Sequence, residues 1–275
     1  MDAPGYRFRS IISIGCRGFK SLIYSPGFYG TIFLSALIAV LISYIYLKVI
    51  FETGVLVMAN PLNIPLIVTM MISASYLAFT ASLSISKERD SGTVEVLFYG
   101  AVDSISYVLA KYLEQMLSFV AMLVFYLIIF WLLGTRTNFG LSMATTLILV
   151  LAGAVASNVV ALGIFLSIIT SKIRTSILTL IAFLVLFIVV QLGNAFLAGL
   201  EFNGSSFPWA GSIISVGVRI VGWVSPFAYL NRGVKAIGIK DLSGYFTNFG
   251  IVVFYSILLL MVAIIIFQKK GAGSR

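Results

Sequence analysis

Ionisable residues that could do chemistry or bind a partner are concentrated in one short segment, Ser-Lys-Glu-Arg-Asp-Ser-Gly-Thr-Val-Glu-Val-Leu, which runs from Ser86 to Leu97. The chain contains no histidine, no Gly-x-x-x-x-Gly-Lys-Ser/Thr phosphate-binding loop, and no pair of carboxylates within its apolar runs that could act as acid and base. We therefore expect no catalytic and no metal-binding residue. An energised function would need a partner subunit, and the charged segment is where a partner could bind.

The composition indicates that this segment belongs to a membrane protein. Apolar residues make up 60% of the chain and charged residues 10%, whereas a soluble domain carries about 25% charged residues. Helical runs of about 20 apolar residues match the ~30 Å hydrocarbon core of a bilayer. We predict an all-α polytopic protein with a single transmembrane domain over 1–275. Six spans are predicted, at 31–50, 64–86, 112–133, 141–170, 176–200 and 248–267.

The distribution of basic residues predicts the orientation. Six spans put both termini on one side, and cytoplasmic termini place twelve of the eighteen lysines and arginines inside, as the positive-inside rule requires. Trp131, Trp209 and Trp223 then all lie on the outer side, where indole rings suit the headgroup region. We expect a multi-pass protein of the cytoplasmic membrane with both termini in the cytoplasm.

The N-terminal residues 6–25 have apolar and basic side chains at helical spacing, before Ser25-Pro26-Gly27. This pattern predicts an interfacial elbow helix in the inner headgroup plane. An ordinary juxtamembrane anchor without a mechanical role would show the same pattern. We expect the segment to be retained, because no cleavage site follows a short apolar core. Cys16 is the only cysteine, so no internal disulfide can form.

The charged segment has the local signals of a turn followed by a short helix. Gly92 permits a sharp turn, the Thr93 hydroxyl can cap the next helix, and Glu95 suits the positive end of that helix dipole. A helix over about 94–99 follows from these signals. Asp103 is placed to cap the third span.

This short helix would offer apolar side chains inside a charged rim, the layout of a protein interface. The apolar side chains are Val94, Leu97 and Phe98, and the rim consists of Lys87, Glu88, Arg89 and Asp90. The alternative is a loop helix whose apolar side sinks into lipid. Anionic lipid favours purely basic segments, whereas this rim has mixed charges.

The stretch from Glu88 to Lys111 resembles the type 2 ABC exporter permease family. In that family an acidic-basic cluster, Gly-Thr-x-Glu-x-Leu, a short turn and a lysine join the second and third spans. The residues in this register are Glu88, Gly92, Thr93, Glu95, Leu97, Val102 and Lys111. Ala101 departs from the pattern, because members often have proline there, which puts the rigidity of the turn in doubt. The basic N-terminal helix, the six spans and Ser225-Pro226-Phe227 extend the resemblance over nearly the whole chain.

The resemblance implies the permease subunit of an ABC exporter, in which 87–104 contains a cytoplasmic coupling helix seated in a separate ATP-binding subunit. The seven residues of the register would then couple the spans to the ATPase. The resemblance also implies a second copy of this chain or a related permease as partner. ATP and Mg would be bound by the ATPase, and this chain would hold no cofactor. We expect the lipid bilayer as its surroundings and no nucleic acid as a partner.

Polar residues within the spans are candidates for the translocation path. In the second span they recur at spacings of three and four and form one stripe: Thr69, Ser73, Tyr76 and Thr80. Asn158, Gln191 and Asn194 are further candidates in later spans. Such residues can line a path or hydrogen-bond neighbouring helices, and the sequence leaves both possibilities open.

The segment 201–247 is too long for a simple connection and too polar to cross a bilayer twice. Its aromatic residues suggest short interfacial or re-entrant helices in an extracytoplasmic loop. Because relatives form an outer gate here, the resemblance implies gate candidates at Trp223, Pro226 and Phe227. An aromatic belt that anchors an exposed loop is the alternative.

The main functional alternative is a secondary transporter or channel that works without an ATPase. Such proteins are expected to show internal duplication, or broken spans with ionisable residues near the midplane. We see neither clearly. We predict that Lys48, Glu52, Lys111 and Glu114 sit at span ends, so that no span contains a buried charge of the sort that ion-coupled carriers and proton relays require. A scaffold protein that binds an ATPase and moves nothing is a third class. The sequence does not identify the cargo.

Overall fold

The computed structural model describes residues 4–53, 62–93, 103–137, 142–170, 172–199 and 222–272. These residues are overwhelmingly helical and contain no strand. We number the helices α1 Pro4–Ile23, α2 Pro26–Thr53, α3 Asn63–Asp90, α4 Ser104–Thr137, α5 Met143–Ile169, α6 Ile173–Gly199, α7 Pro226–Gly238 and α8 Leu242–Ala272.

Five of these helices are long and apolar enough to cross a membrane: α2, α3, α4, α5 and α8. The all-α, multi-pass class expected from the sequence is therefore supported. The fifth predicted span, 176–200, falls on α6, whose helical backbone extends over 27 residues. The side chains of α6 are described only in part, so this span, and with it the count of six, stays a prediction.

Several helices extend past the apolar runs that mark the predicted spans. The third span was predicted to begin at 112, whereas α4 begins at Ser104 and is 34 residues long. At about 1.5 Å per residue such a helix is about 50 Å long, well beyond the ~30 Å apolar core of a bilayer. The first turns of α4 can therefore project from the membrane and pack against other helices.

The core of the bundle is the contact between α3 and α5. Leu77, Ala78 and Ala81 on α3 are fully buried, as are Val160 and Ile164 on α5. Between them Gly163 comes so close to α3 that a Cβ atom would lie 2.6 Å from the Ala78 carbonyl oxygen. A glycine is what permits the two backbones to approach in this way.

The two ends of the bundle differ in which elements they gather. At the end where α3 stops and α4 starts, here called the Glu88 end, α1 packs on α4 and the last turns of α8 reach Tyr107 through Phe267. At the opposite end, the Asn63 end, Thr145 donates a hydrogen bond to Asn63, and α7 packs where Gly233 meets Leu151. Both terminal helices therefore converge on the Glu88 end.

Candidate coupling site and polar contacts between spans

The end of α3 is closed by a glycine turn and two hydroxyl groups. Gly92 has a φ of +71°, which confirms the turn predicted from its residue type. The hydroxyls of Ser91 and Thr93 both donate to the Glu88 carbonyl oxygen, at 3.2 and 2.9 Å. Thr93 thus bonds back to the helix that precedes it, whereas the sequence suggested that it caps the helix that follows.

Four side chains next to this turn form one polar cluster, the Glu88 cluster: Glu88 on α3 with Tyr107, Lys111 and Glu114 on α4. The Tyr107 hydroxyl donates to Glu88 Oε2, and Lys111 Nζ donates to Glu88 Oε1 at 2.6 Å. Lys111 Nζ also donates to Glu114 Oε2 at 3.3 Å. The pairing between Glu88 and Lys111 joins the two flanks of the segment 87–104 across 23 positions of sequence.

The ion pairs of this cluster are largely buried, unlike those on a protein surface. The side chains of Lys111 and Glu114 are 10% and 9% exposed, and that of Glu88 is 28% exposed. Lys111 and Glu114 lie in the first turns of α4, as expected of a span end. The sequence did not predict that both side chains are buried, which follows because neighbouring helices cover them. A buried ion pair of this kind is costly to break, since removing one partner leaves an uncompensated charge.

Helix α1 covers the cluster. A Cβ atom at Gly18 would lie 2.0 Å from Glu114 Oε2, so only a glycine lets α1 pass over the buried carboxylate. Farther along, Arg7 pairs with Asp103 at 3.5 Å, immediately before α4. Asp103 also accepts the first helical hydrogen bond of α4 on its carbonyl oxygen, from the Tyr107 N–H, as a residue at the predicted N-cap position would.

Helices α8 and α5 pack at the same end of the bundle. The ring of Phe267 on α8 stacks on Tyr107 with 5.5 Å between centroids, and the Arg89 guanidinium lies 5.8 Å from the same Phe267 ring. Ser167 Oγ on α5 accepts a hydrogen bond from the backbone N–H of Ser86, next to the cluster, at 2.9 Å. Between them, α1, α5 and α8 thus hold the two flanks of the segment 87–104.

Glu95, Leu97 and Val102 fall outside the residues that the structure describes, so their predicted contact with an ATPase stays a prediction. Of the four other coupling candidates, Gly92 and Thr93 form the turn at the end of α3. Glu88 and Lys111 are brought together, but they face each other. Their geometry suits a role in positioning the segment. Glu88, which the sequence placed in a charged rim facing a partner, is therefore already paired within this chain.

The polar stripe of α3 makes hydrogen bonds between helices. The Tyr126 hydroxyl on α4 shares hydrogen bonds with two serines of other helices, Ser73 Oγ at 2.7 Å and Ser35 Oγ at 2.6 Å. Thr80 Oγ1 donates to Gln115 Oε1 at 2.8 Å. Helix-to-helix bonding was one of the two interpretations left open by the sequence, and these contacts are of that kind.

The remaining path candidates are placed as follows. Thr69 is buried and bonds to the Leu66 carbonyl, and the Tyr76 hydroxyl lies 3.5 Å from Ser25 Oγ. Asn158 is buried and donates to the Val252 carbonyl oxygen at 3.4 Å. The side chains of Gln191 and Asn194 lie outside the described residues. The translocation path therefore stays a prediction for all seven residues.

The gate candidates lie at the Asn63 end. Pro226 occupies the first turn of α7 and is buried, Phe227 is partly buried against the core, and the Trp223 ring is 61% exposed. The Tyr229 hydroxyl donates to the Trp223 carbonyl oxygen at 2.8 Å and fixes the approach to α7. A short helix is thus present in the segment where the sequence suggested one, and its role as a gate stays a prediction.

Sequence reasoning missed Tyr107, Gly18 and the burial of Glu114. The spacing of Lys111 and Glu114, three residues apart on a helix, was a usable signal, because such residues are neighbours on the helix surface. Tyr107 and Gly18 gave no local signal. Their roles depend on which helices meet at the Glu88 end.

The amino-acid sequence was compared with models of known protein families and with curated proteins, and neither comparison gives a match.

Proposed function

We propose that this chain is the membrane (permease) subunit of an ATP-driven ABC exporter. It forms the translocation path as a dimer with a second copy or a related permease. The segment 87–104 couples it to a separate ATP-binding subunit, which holds ATP and Mg. The observation that carries the proposal is the Glu88 cluster, which ties both flanks of this segment to each other. Neighbouring contacts of Asp103, Ser86 and Tyr107 hold the same flanks to α1, α5 and α8.

The cluster supports coupling because it attaches the segment 87–104 firmly to the helix bundle. With Glu88 joined to Tyr107 and Lys111, a displacement of the segment moves α3 and α4 as a pair. Shifting an inward-open to outward-open equilibrium from 1:99 to 99:1 requires about 5.5 kcal/mol of differential binding. Nucleotide-driven closure of the ATPases supplies this free energy, and a loosely attached loop would dissipate it.

The proposal includes six spans with α6 as the fifth of them, and cytoplasmic termini. The convergence of α1 and α8 on the Glu88 end supports the placement of both termini on one side. That end also collects basic residues on its exposed surface, among them Arg9, Arg17 and Lys87. Under the positive-inside rule such an end faces the cytoplasm, where an ATPase would be.

The proposal is tested by photo-crosslinking. One variant carries a photo-crosslinking residue in place of Leu97, and the control variant carries it in place of Ser243, which is exposed at the Asn63 end. Crosslinking is done in membranes of the native host, and trapped proteins are identified by mass spectrometry. We expect position 97 to trap a protein with a phosphate-binding loop, and position 243 to trap none.

Two results would refute the proposal. One is that position 97 never traps a nucleotide-hydrolysing protein. The other is that vesicles containing only the purified chain accumulate solute against a gradient, which is the behaviour of the secondary transporter alternative. The buried charges found here do not favour that alternative, because they lie in the first turns of α4 and are paired with each other.

A further inference from the structure

Helix α7 and the residues that flank it form a basic, aromatic surface at the Asn63 end. Four buried side chains of α7, Pro226, Tyr229, Leu230 and Ala236, attach it to the bundle. Its opposite side is polar. The sequence of α7, Pro-Phe-Ala-Tyr-Leu-Asn-Arg-Gly-Val-Lys-Ala-Ile-Gly, contains two basic residues and no acidic one.

Arg232 is held in place by aromatic rings and a carbonyl group. Its guanidinium carbon lies 4.4 Å from the centroid of the Tyr229 ring and 5.7 Å from that of the Trp223 ring. One of its terminal nitrogens donates to the Gly222 carbonyl oxygen. Among the residues that the structure describes, no carboxylate forms an ion pair with it. The guanidinium is thus oriented, partly exposed, and not neutralised by any of them.

Lys235 extends the charge along the helix. It lies three residues after Arg232, so the two side chains are neighbours on the surface of α7, and Lys235 is exposed. Like Arg232, it has no ion-pair partner within the described part of the chain. A fixed guanidinium beside a mobile ammonium is an arrangement that suits the oxygens of a phosphate group.

Exposed apolar side chains next to these charges indicate where this surface of α7 lies relative to a bilayer. Trp223 is 61% exposed, and Ile239, Leu242 and Phe246 are exposed around the start of α8. Large exposed apolar residues beside basic ones are typical of an element in the interfacial layer of a bilayer, with rings among the acyl chains and charges among the headgroups.

We propose that Arg232 and Lys235, together with the rings of Trp223 and Tyr229, bind the phosphate of an anionic lipid headgroup. The lipid belongs to the leaflet at the Asn63 end. Charge complementarity specifies an anion, and the exposed apolar residues specify a membrane lipid over a soluble phosphate. The inference does not depend on the proposed exporter function.

Arg232 could instead act only as a clamp that holds Gly222 and Trp223 against α7. The two roles predict different effects of removing the Lys235 charge, because Arg232 and not Lys235 lies over the rings of Trp223 and Tyr229. A clamp would be indifferent to the loss of the Lys235 charge, whereas a headgroup site would not.

Trp223 provides the reporter for the test. The variant W131F/W209F keeps Trp223 as its one tryptophan. It is reconstituted in phosphatidylcholine vesicles that contain a small, equal mole fraction of brominated phosphatidylglycerol or brominated phosphatidylcholine. Bromine quenches nearby indole fluorescence. The quenching by brominated phosphatidylglycerol beyond that by brominated phosphatidylcholine therefore measures how far the anionic lipid is enriched beside Trp223. We expect clear excess quenching by phosphatidylglycerol.

Each of R232Q and K235Q should weaken this enrichment about fivefold, the factor that corresponds to about 1 kcal/mol per basic residue near a charged surface. The matched control is R136Q, which removes an exposed arginine at the same end of the bundle, and it should leave the enrichment within about twofold. Equal quenching by both lipids would overturn the proposal. So would an unchanged enrichment in K235Q.

Discussion

The ion pairs of Lys111 predict an unequal response to the loss of each partner. Replacing Lys111 with Met leaves Glu88 and Glu114 without their shared cation, and Glu114 is buried. Replacing Glu88 with Gln still leaves Lys111 paired with Glu114. We expect K111M to destabilise the protein by about 3 kcal/mol, the scale measured for broken buried ion pairs, and E88Q by clearly less. Thermal unfolding in detergent measures the difference.

Lys48 supplies the control for this prediction. It pairs with Glu52 at 3.7 Å on an exposed part of α2, so K48M should change the stability by less than about 1 kcal/mol. An equal effect of K111M and K48M would show that the cluster is not the buried structure described here.

For single residues, the sequence indicated which positions are important but not which side chains they contact. Glu88 and Lys111 were both selected, through the register of one motif. Their contact with each other depends on how α3 and α4 align, which no local pattern encodes. The turn at Gly92 was predictable because a positive φ is a property of one residue type.

The contact between α3 and α5 predicts opposite effects for two glycine substitutions. A Cβ atom at Gly163 would meet the Ala78 carbonyl oxygen at 2.6 Å and Ala81 Cβ at 3.0 Å. Since neither is the end of a flexible side chain, G163A should destabilise the protein by about 1–3 kcal/mol. At Gly30 on α2 a Cβ meets nothing within 4 Å, and G30A should stabilise by about 0.5–1 kcal/mol. Thermal unfolding of both variants in one detergent checks the signs, and a stabilised G163A would contradict the packing.

The docking of α1 on α4 predicts a change in the reactivity of Cys16. An alanine at Gly18 would overlap with the Glu114 carboxylate, which Lys111 holds in place, so G18A should weaken the attachment of α1. Cys16 lies two residues away, is half-buried, and is the only thiol. We expect its maleimide labelling in detergent to be several-fold faster in G18A than in the parent protein.

G30A again serves as the control, because it changes a helical glycine that has open space around it. Labelling rates that are the same in G18A, G30A and the parent protein would mean that Gly18 is not needed for the seating of α1.

Five of the predicted apolar runs coincide with long apolar helices, but the ends of these helices were not predicted. The apolar run at 64–86 gave a span close to α3, Asn63–Asp90, because hydropathy measures what a bilayer requires. It does not measure how far a helix continues once protein replaces lipid as its surroundings. That is why α4 begins eight residues before the predicted span, with Lys111 and Glu114 satisfied by tertiary contacts.

For the whole molecule, the two ends of the bundle differ in their contacts. At the Glu88 end the flanks of the segment 87–104, α1 and α8 form one connected set of contacts, which we propose transmits force. At the Asn63 end α7 has an aromatic and basic surface, which we propose faces the lipid headgroups. Composition predicted the membrane class, but the division between the ends depends on contacts between residues far apart in sequence, such as Tyr107 with Phe267.

The orientation of this asymmetric bundle can be tested with single cysteines. Cys16 lies at the Glu88 end, and Ser243 is exposed at the Asn63 end. A membrane-impermeant maleimide added to intact cells should label the variant C16S/S243C but not the parent protein, and inverted vesicles should give the reverse, because we propose that the basic Glu88 end faces the cytoplasm. Labelling in detergent, where both thiols are accessible, normalises each signal. Labelling of both cysteines from the same side would refute the bundle topology, whereas an inverted pattern would leave the bundle intact and remove the cytoplasmic site that an ATPase needs.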